Sequence, residues 1–106
     1  MDEVIRILVA DDHSLFRNGV IHSLGSQPDF EVVAEAADGQ STLEQAHMFL
    51  PDVILLDVTM KPMSGLDAVQ RLSAELPVCK VIMLTVDDDE DTLLSALKAG
   101  ARGYRP

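Results

Sequence analysis

The sequence predicts an α/β fold: a doubly wound parallel sheet covered by helices on both faces. Four short apolar runs, rich in β-branched residues, alternate with amphipathic stretches. All but the second run are nearly continuous, as in strands that are buried on both faces. Glycine or proline separates many of these segments. The order βαβαβαβα, followed by the start of a fifth strand, implies right-handed crossovers within one domain of 106 residues.

Each predicted element has its own signal. The strands are the apolar runs Ile5–Ala10, Phe30–Ala36, Val53–Leu56 and Val81–Leu84, and Gly103-Tyr104 begins a fifth. The helices are predicted from apolar residues at helical spacing: Phe16, Val20 and Leu24 after Ser14; Leu43, Ala46 and Leu50; Leu66, Val69, Leu72 and Leu76; and Leu93, Ala96, Leu97 and Gly100. Breakers stand between them at Gly25, Pro28, Pro51, Pro77 and Gly100.

The composition and charge argue against several classes of protein. Apolar content of 47% and charged content of 25% are ordinary for a soluble globular protein. No apolar run is long enough to span a bilayer, and no signal peptide is evident. A net charge of −10 argues against direct binding to nucleic acid, because phosphates would be repelled. The lone Cys79 excludes an internal disulfide and suits a reducing cytoplasm.

Acidic residues end two of the predicted strands. Asp11-Asp12 follows the first strand, Asp57 closes the third, and Thr85 closes the fourth. In parallel sheets of this kind, ligands bind beyond the carboxyl ends of the strands, where the strand order switches. Three clustered carboxylates repel one another unless a cation relieves the repulsion, and a hard divalent cation does so through oxygen ligands. The pattern therefore predicts a magnesium-dependent acidic pocket.

The same residues carry a family resemblance. The matching features are the acidic pair Asp11-Asp12, the strand-ending Asp57, the loop from Asp57 to Gly65, Thr85, and the segment Gly100–Tyr104. From Ile5 to Tyr104 the chain resembles the receiver domain of two-component response regulators, which has a flavodoxin-like (βα)5 fold. The segments Asp11–Arg17 and Ala96–Tyr104 look most like the LuxR/FixJ-type subgroup, whose members usually carry a helix-turn-helix domain that binds DNA.

This resemblance implies a phosphorylation-dependent signalling switch rather than an enzyme with a separate substrate. Asp57 would be the phosphoacceptor, and a sensor histidine kinase would be the donor. Asp11, Asp12, Asp57 and the backbone carbonyl of Thr59 would hold Mg2+. Thr85 would be the switch hydroxyl and Tyr104 the switch aromatic. Transcription would be controlled through a DNA-binding output domain that these residues do not include.

Two departures from the family pattern stand out. The family proline, four residues after the phosphoacceptor, is replaced by Lys61, with Pro62 next, so the loop can be set differently. The family lysine belongs three residues after Tyr104, beyond Pro106. Residues 1–106 are therefore expected to be a receiver domain that lacks most of strand 5, helix 5 and the effector domain. Without a complete fifth strand, the hydrogen-bonding edge of the fourth strand would be left open. An open edge of this kind favours self-association or homodimers.

Several alternatives remain open. A haloacid-dehalogenase-type phosphohydrolase also uses a strand-end aspartate and magnesium, but Thr59 stands where its general acid belongs. A nucleotide-binding module lacks its glycine-rich phosphate loop after the first strand, whereas an interaction domain independent of phosphorylation is not excluded. His13 is interpreted as a loop histidine that tunes the pocket, with metal ligation as the alternative. The acidic run 87–91 is interpreted as helix capping rather than a calcium loop.

Overall fold

A computed structural model describes residues 4–57 and 65–84. Within them the elements follow the order β1 (Ile5–Ala10), α1 (Ser14–Gly25), β2 (Phe30–Ala36), α2 (Gly39–Phe49), β3 (Val53–Asp57), α3 (Gly65–Glu75) and β4 (Lys80–Leu84). These bounds confirm the four predicted strands to within one residue. The predictions for the fourth helix, the fifth strand and the consequences of the chain end fall outside the described residues.

The four described strands form one parallel sheet in the order β2-β1-β3-β4. The chain adds β2 on one side of β1 and then returns to add β3 on the other side, so the strand order switches between β1 and β3. In the register of β1 with β3, Ala10 pairs with Leu56. The residues that follow, Asp11 and Asp57, therefore lie next to each other at the carboxyl edge of the sheet, where ligands bind in folds of this kind.

The sheet is covered on both faces because side chains alternate along its central strands. Leu8, Ala10, Ile54 and Leu56 belong to a cluster with residues of α2 and α3, including Leu43, Ala46 and Leu72. Ile7, Val9, Val53 and Leu55 belong to a second cluster with Val20 and Leu24 of α1. Cys79 is buried in the first cluster, as expected of a small apolar filler. None of the helices in the described ranges is long and apolar enough to cross a membrane.

The end of α2 differs from the predicted apolar stripe. Leu43 and Ala46 are buried as expected, but Leu50 is 54% exposed. Leu50 has a left-handed backbone, with φ 47° and ψ 61°, and its N–H donates to the carbonyl of Ala46. The following Pro51 disfavours the right-handed helical conformation at Leu50. Including Leu50 in the buried stripe was therefore wrong, because this residue ends the helix instead of continuing it.

Candidate functional site

Four side chains meet at the carboxyl edge of the sheet. Ligand atoms of Asp11, Asp12, His13 and Asp57 all lie within 4.8 Å of one another. Asp11 and Asp57 are each only 2% exposed, whereas Asp12 and His13 lie at the surface. The structure thus brings together the three carboxylates that the sequence placed at the ends of the first and third strands.

Asp11 is held through both its backbone and its side chain. Its N–H donates to the carbonyl of Ala36 at the end of β2, at 3.0 Å. Its carboxylate Oδ1 accepts the backbone N–H of His13 at 2.8 Å. Its carbonyl oxygen accepts Nη1 of Arg17 at 2.6 Å. These contacts join the residue after β1 to the edge strand and to α1, so the carboxylate has little freedom to move.

The electrostatics of the cluster favour a bound cation. Burial raises the pKa of the Asp11 carboxyl, and the charge of Asp57 raises it further. The hydrogen bonds from His13 oppose both effects by stabilising the ionised form. The net shift is upward, so the folded protein disfavours the negative charge on Asp11 when no cation is bound. A divalent cation among the carboxylates would remove this penalty.

His13 faces all three carboxylates. Its Nδ1 lies 3.0 Å from Oδ1 of Asp12, 3.3 Å from Oδ1 of Asp11 and 3.8 Å from Oδ2 of Asp57. The His13 side chain is 60% exposed. This geometry is consistent with a histidine that tunes the pocket, and it also leaves Nδ1 within the group of atoms that could hold a metal.

The donor set fits Mg2+. Three carboxylates would supply the oxygen ligands that this ion prefers, and two of them are buried at the ends of neighbouring strands. The imidazole of His13 suits transition metals better than magnesium. Three other predicted residues of the site, Thr59, Thr85 and Tyr104, lie outside the described residues, and so does Lys61 of the adjoining loop.

Sequence reasoning used Arg17 only as part of a family segment and missed its contact with the site. Arg17 lies in α1, one turn after the helix begins at Ser14. A positive charge near the amino end of a helix opposes the helix dipole. This unfavourable position was the signal in the sequence that Arg17 has a stabilising partner elsewhere in the fold. The structure supplies two partners, the carbonyl of Asp11 and the carboxylate of Glu35.

The fold and the site together define a doubly wound domain with an acidic pocket at its topological switch point. Residues 7–104 match the response regulator receiver domain family. The chain belongs to this family and is a receiver domain of a two-component response regulator.

Individual relatives agree with this assignment. The chain is 43% identical over 100 residues to the transcriptional regulatory protein DegU of Brevibacillus brevis, covering 94% of the chain and 42% of that protein. It is 44% identical over 101 residues to the oxygen regulatory protein NreC of Staphylococcus epidermidis, covering 94% and 46%. The signal receiver domain of NarL from Mycobacterium tuberculosis superimposes with a TM-score of 0.76 at 35% identity, covering 91% of the chain and 77% of that structure.

These relatives confirm the likeness to LuxR/FixJ-type regulators that the sequence indicated. The chain spans less than half the length of the curated relatives it matches. The family membership therefore describes this domain and not the output of a longer protein.

Proposed function

We propose that Asp57 accepts a phosphoryl group from a sensor histidine kinase, and that Asp11, Asp12, Asp57 and the carbonyl of Thr59 hold the Mg2+ that this transfer needs. The observation that carries the proposal is the burial of Asp11 and Asp57, from neighbouring strands, within one cluster of ligand atoms spanning at most 4.8 Å. Burying two carboxylates side by side is unfavourable without a cation. This arrangement is therefore better explained by function than by stability.

In the proposed reaction, a carboxylate oxygen of Asp57 attacks the phosphorus of a phosphohistidine or a small acyl phosphate. The new O–P bond forms as the bond to the donor breaks, and the electron pair leaves with the donor. Bound Mg2+ would neutralise charge on the phosphoryl oxygens. The protein contributes position, since β3 holds Asp57 at the edge of the sheet and the backbone contacts of Asp11 hold its carboxylate beside it.

The signal would then pass to other parts of the protein. The added phosphoryl charge at Asp57 would bias a two-state loop, with Thr85 as the switch hydroxyl and Tyr104 as the switch aromatic. The net charge of −10 opposes binding of this domain to DNA, because the phosphates would be repelled. We therefore assign DNA binding to a basic output domain, as in LuxR-type transcription regulators, acting in the cytoplasm.

Acetyl phosphate with Mg2+ tests the phosphoacceptor. The protein should gain one phosphoryl group that is labile to hydroxylamine, as an acyl phosphate is, and Asp57→Asn should gain none. Asp29→Asn is the matched control because Asp29 is an exposed acid outside the cluster. Labelling of Asp57→Asn at the wild-type level would overturn the proposal. Steady release of phosphate without a labelled protein would favour a phosphohydrolase instead.

Thr85→Ala tests the switch. This variant should still be phosphorylated at Asp57, because the acids and the metal carry out the transfer. Its NMR spectrum should change less than the wild-type spectrum on addition of beryllofluoride with Mg2+, since the hydroxyl that closes on the phosphoryl oxygen is gone. Thr85→Ser, which keeps the hydroxyl, is the control. A full response in Thr85→Ala would refute this role.

A further inference from the structure

Arg17 contacts the acidic pocket through the backbone of Asp11. Its Nη1 donates to the carbonyl oxygen of Asp11 at 2.6 Å. A different nitrogen, Nε, donates to Oε1 of Glu35 at 3.0 Å. The Arg17 side chain is only 16% exposed. A planar guanidinium with two partners in different elements is held in one orientation, since its donors have a fixed geometry.

These two contacts close a ring of interactions around Asp11. The N–H of Asp11 is bonded to Ala36, and Arg17 binds the Asp11 carbonyl and the side chain of Glu35, the residue just before Ala36. The Asp11 backbone is therefore tied to the end of β2 directly and also through α1. His13, whose N–H binds the Asp11 carboxylate, is in turn bonded through its own carbonyl to the backbone N–H of Arg17.

Arg17 contacts the backbone of the site and not its carboxylates. The guanidinium binds the carbonyl oxygen of Asp11, which fixes the plane of the peptide between Asp11 and Asp12. The direction in which both carboxylates leave the backbone depends on that plane.

We propose that Arg17 is a positioning residue for Mg2+: by joining Asp11 to Glu35, it holds the Asp11-Asp12 pair at the place where both carboxylates can bind the ion. This inference rests on the proposed function, since it assumes that Mg2+ binds in the pocket. Groups that orient metal ligands without touching the metal commonly change metal affinity by about tenfold or more when they are removed.

Arg6 provides a matched control in β1, the strand that ends just before Asp11. Its Nη1 donates to the carbonyl of Leu50 at 3.0 Å, so it makes the same kind of bond as Arg17. It lies near the start of β1, at the opposite edge of the sheet from the pocket. Loss of the Arg6 bond should affect stability without affecting the acidic cluster.

The test compares Arg17→Met, Arg17→Lys and Arg6→Met with the wild-type protein. Calorimetric titration gives the Mg2+ affinity, and urea denaturation without Mg2+ gives the stability. Arg17→Met should bind Mg2+ about tenfold more weakly, and Arg17→Lys should recover part of this loss because an ammonium still donates. Arg6→Met should keep its Mg2+ affinity even where its stability falls.

The rate of phosphorylation by acetyl phosphate separates positioning from a direct chemical role. In Arg17→Met, more Mg2+ should be needed to reach half the maximal rate, while the rate at saturating Mg2+ should stay near that of wild type. Wild-type Mg2+ affinity in Arg17→Met, or equal losses in Arg17→Met and Arg6→Met, would overturn the inference and leave the proposed function standing. Failure of the wild-type protein to bind Mg2+ would overturn the proposed function itself.

Discussion

At the scale of single residues, Asp11 is where folding and the proposed metal binding make opposite demands. Burial and the charge of Asp57 raise the pKa of Asp11, so ionised Asp11 destabilises the folded protein when no cation is bound. The same ionised group is the oxygen ligand that a magnesium site needs. A residue of this kind should gain stability on neutralisation and lose function.

Asp11→Asn should therefore raise the free energy of unfolding in the absence of Mg2+ and abolish Mg2+ binding. The asparagine oxygen can still accept the N–H of His13. Because the folded-state pKa lies above the ordinary value of 3.8, wild-type stability falls as the pH rises from 3.8 through the folded-state pKa. The advantage of the variant should grow over that window.

Urea denaturation below pH 3.8 and at neutral pH measures this difference, with EDTA present. Asp29→Asn, an exposed substitution of the same chemistry, serves as the control. The account fails if Asp11→Asn is less stable than wild type at neutral pH, or if its advantage is the same at both pH values.

At the scale of elements, the two helices that flank β2 begin and continue differently. α2 starts with a capping box, in which Asp38 accepts the backbone N–H of Ser41 at 2.7 Å and the Ser41 hydroxyl lies 3.4 Å from the backbone N–H of Asp38. α1 has His13 at its N-cap, without a side-chain capping bond, and contains Gly19. Helix α1 therefore carries less local stabilisation and depends more on packing Val20 and Leu24 against the sheet.

Gly19→Ala should stabilise the protein. Gly19 is an exposed residue inside α1, and an added Cβ would meet nothing within 4 Å. Alanine loses less backbone entropy on folding, so the gain should be about 0.5 to 1 kcal/mol. Urea denaturation would measure it. Gly25→Ala, at the last residue of the helix and also in open space, should gain less. A loss of stability in Gly19→Ala would show that the glycine has another role.

Asp38→Ala should lower the melting temperature, because the first turn of α2 loses its cap. Hydrogen bonds from Ser41 lower the pKa of Asp38, so the charged cap stabilises the fold above pH 3.8 and this contribution is lost as the pH falls through the lower folded-state pKa. The difference between wild type and variant in thermal melts should shrink in acid. An unchanged difference in acid would mean that the carboxylate charge does not contribute.

At the scale of the whole molecule, the proposed ligand should act on stability as well as on signalling. The net charge is −10, and part of this charge is concentrated at one edge of the sheet. A ligand that binds only the folded state stabilises it by mass action. Magnesium should therefore raise the stability of the domain beyond the general effect of screening its negative charge.

Mg2+ at about ten times its Kd should raise the free energy of unfolding by about 1.4 kcal/mol. Denaturation in MgCl2 and in NaCl of equal ionic strength separates binding from screening. Asp57→Asn should respond alike to both salts, because one ligand of the site is gone. An equal response of the wild-type protein to both salts would contradict specific binding.

The sequence by itself determined the described elements and the carboxylates of the acidic pocket. Runs of β-branched residues and helical spacing are local properties, so the predicted limits of the described strands and the start of α1 agree with the structure. Because parallel strands share a carboxyl edge, the positions of Asp11, Asp12 and Asp57 at strand ends were enough to predict one pocket. In the described part of the chain, the prediction from sequence was wrong at Leu50 because the periodic pattern of α2 was extended up to a proline.

Only the tertiary structure decided which distant groups meet. The contact of Arg17 with Glu35 joins residues 18 positions apart, and that of His47 with Glu75 joins residues 28 apart. No periodic pattern encodes such pairs, since they depend on strand order, on register and on how each helix packs across the sheet. The same packing brings Nδ1 of His13 within 3.8 Å of Asp57. The local sequence specified which carboxylates form the pocket. Packing of the whole sheet specified which distant groups hold them in place and which lie opposite them.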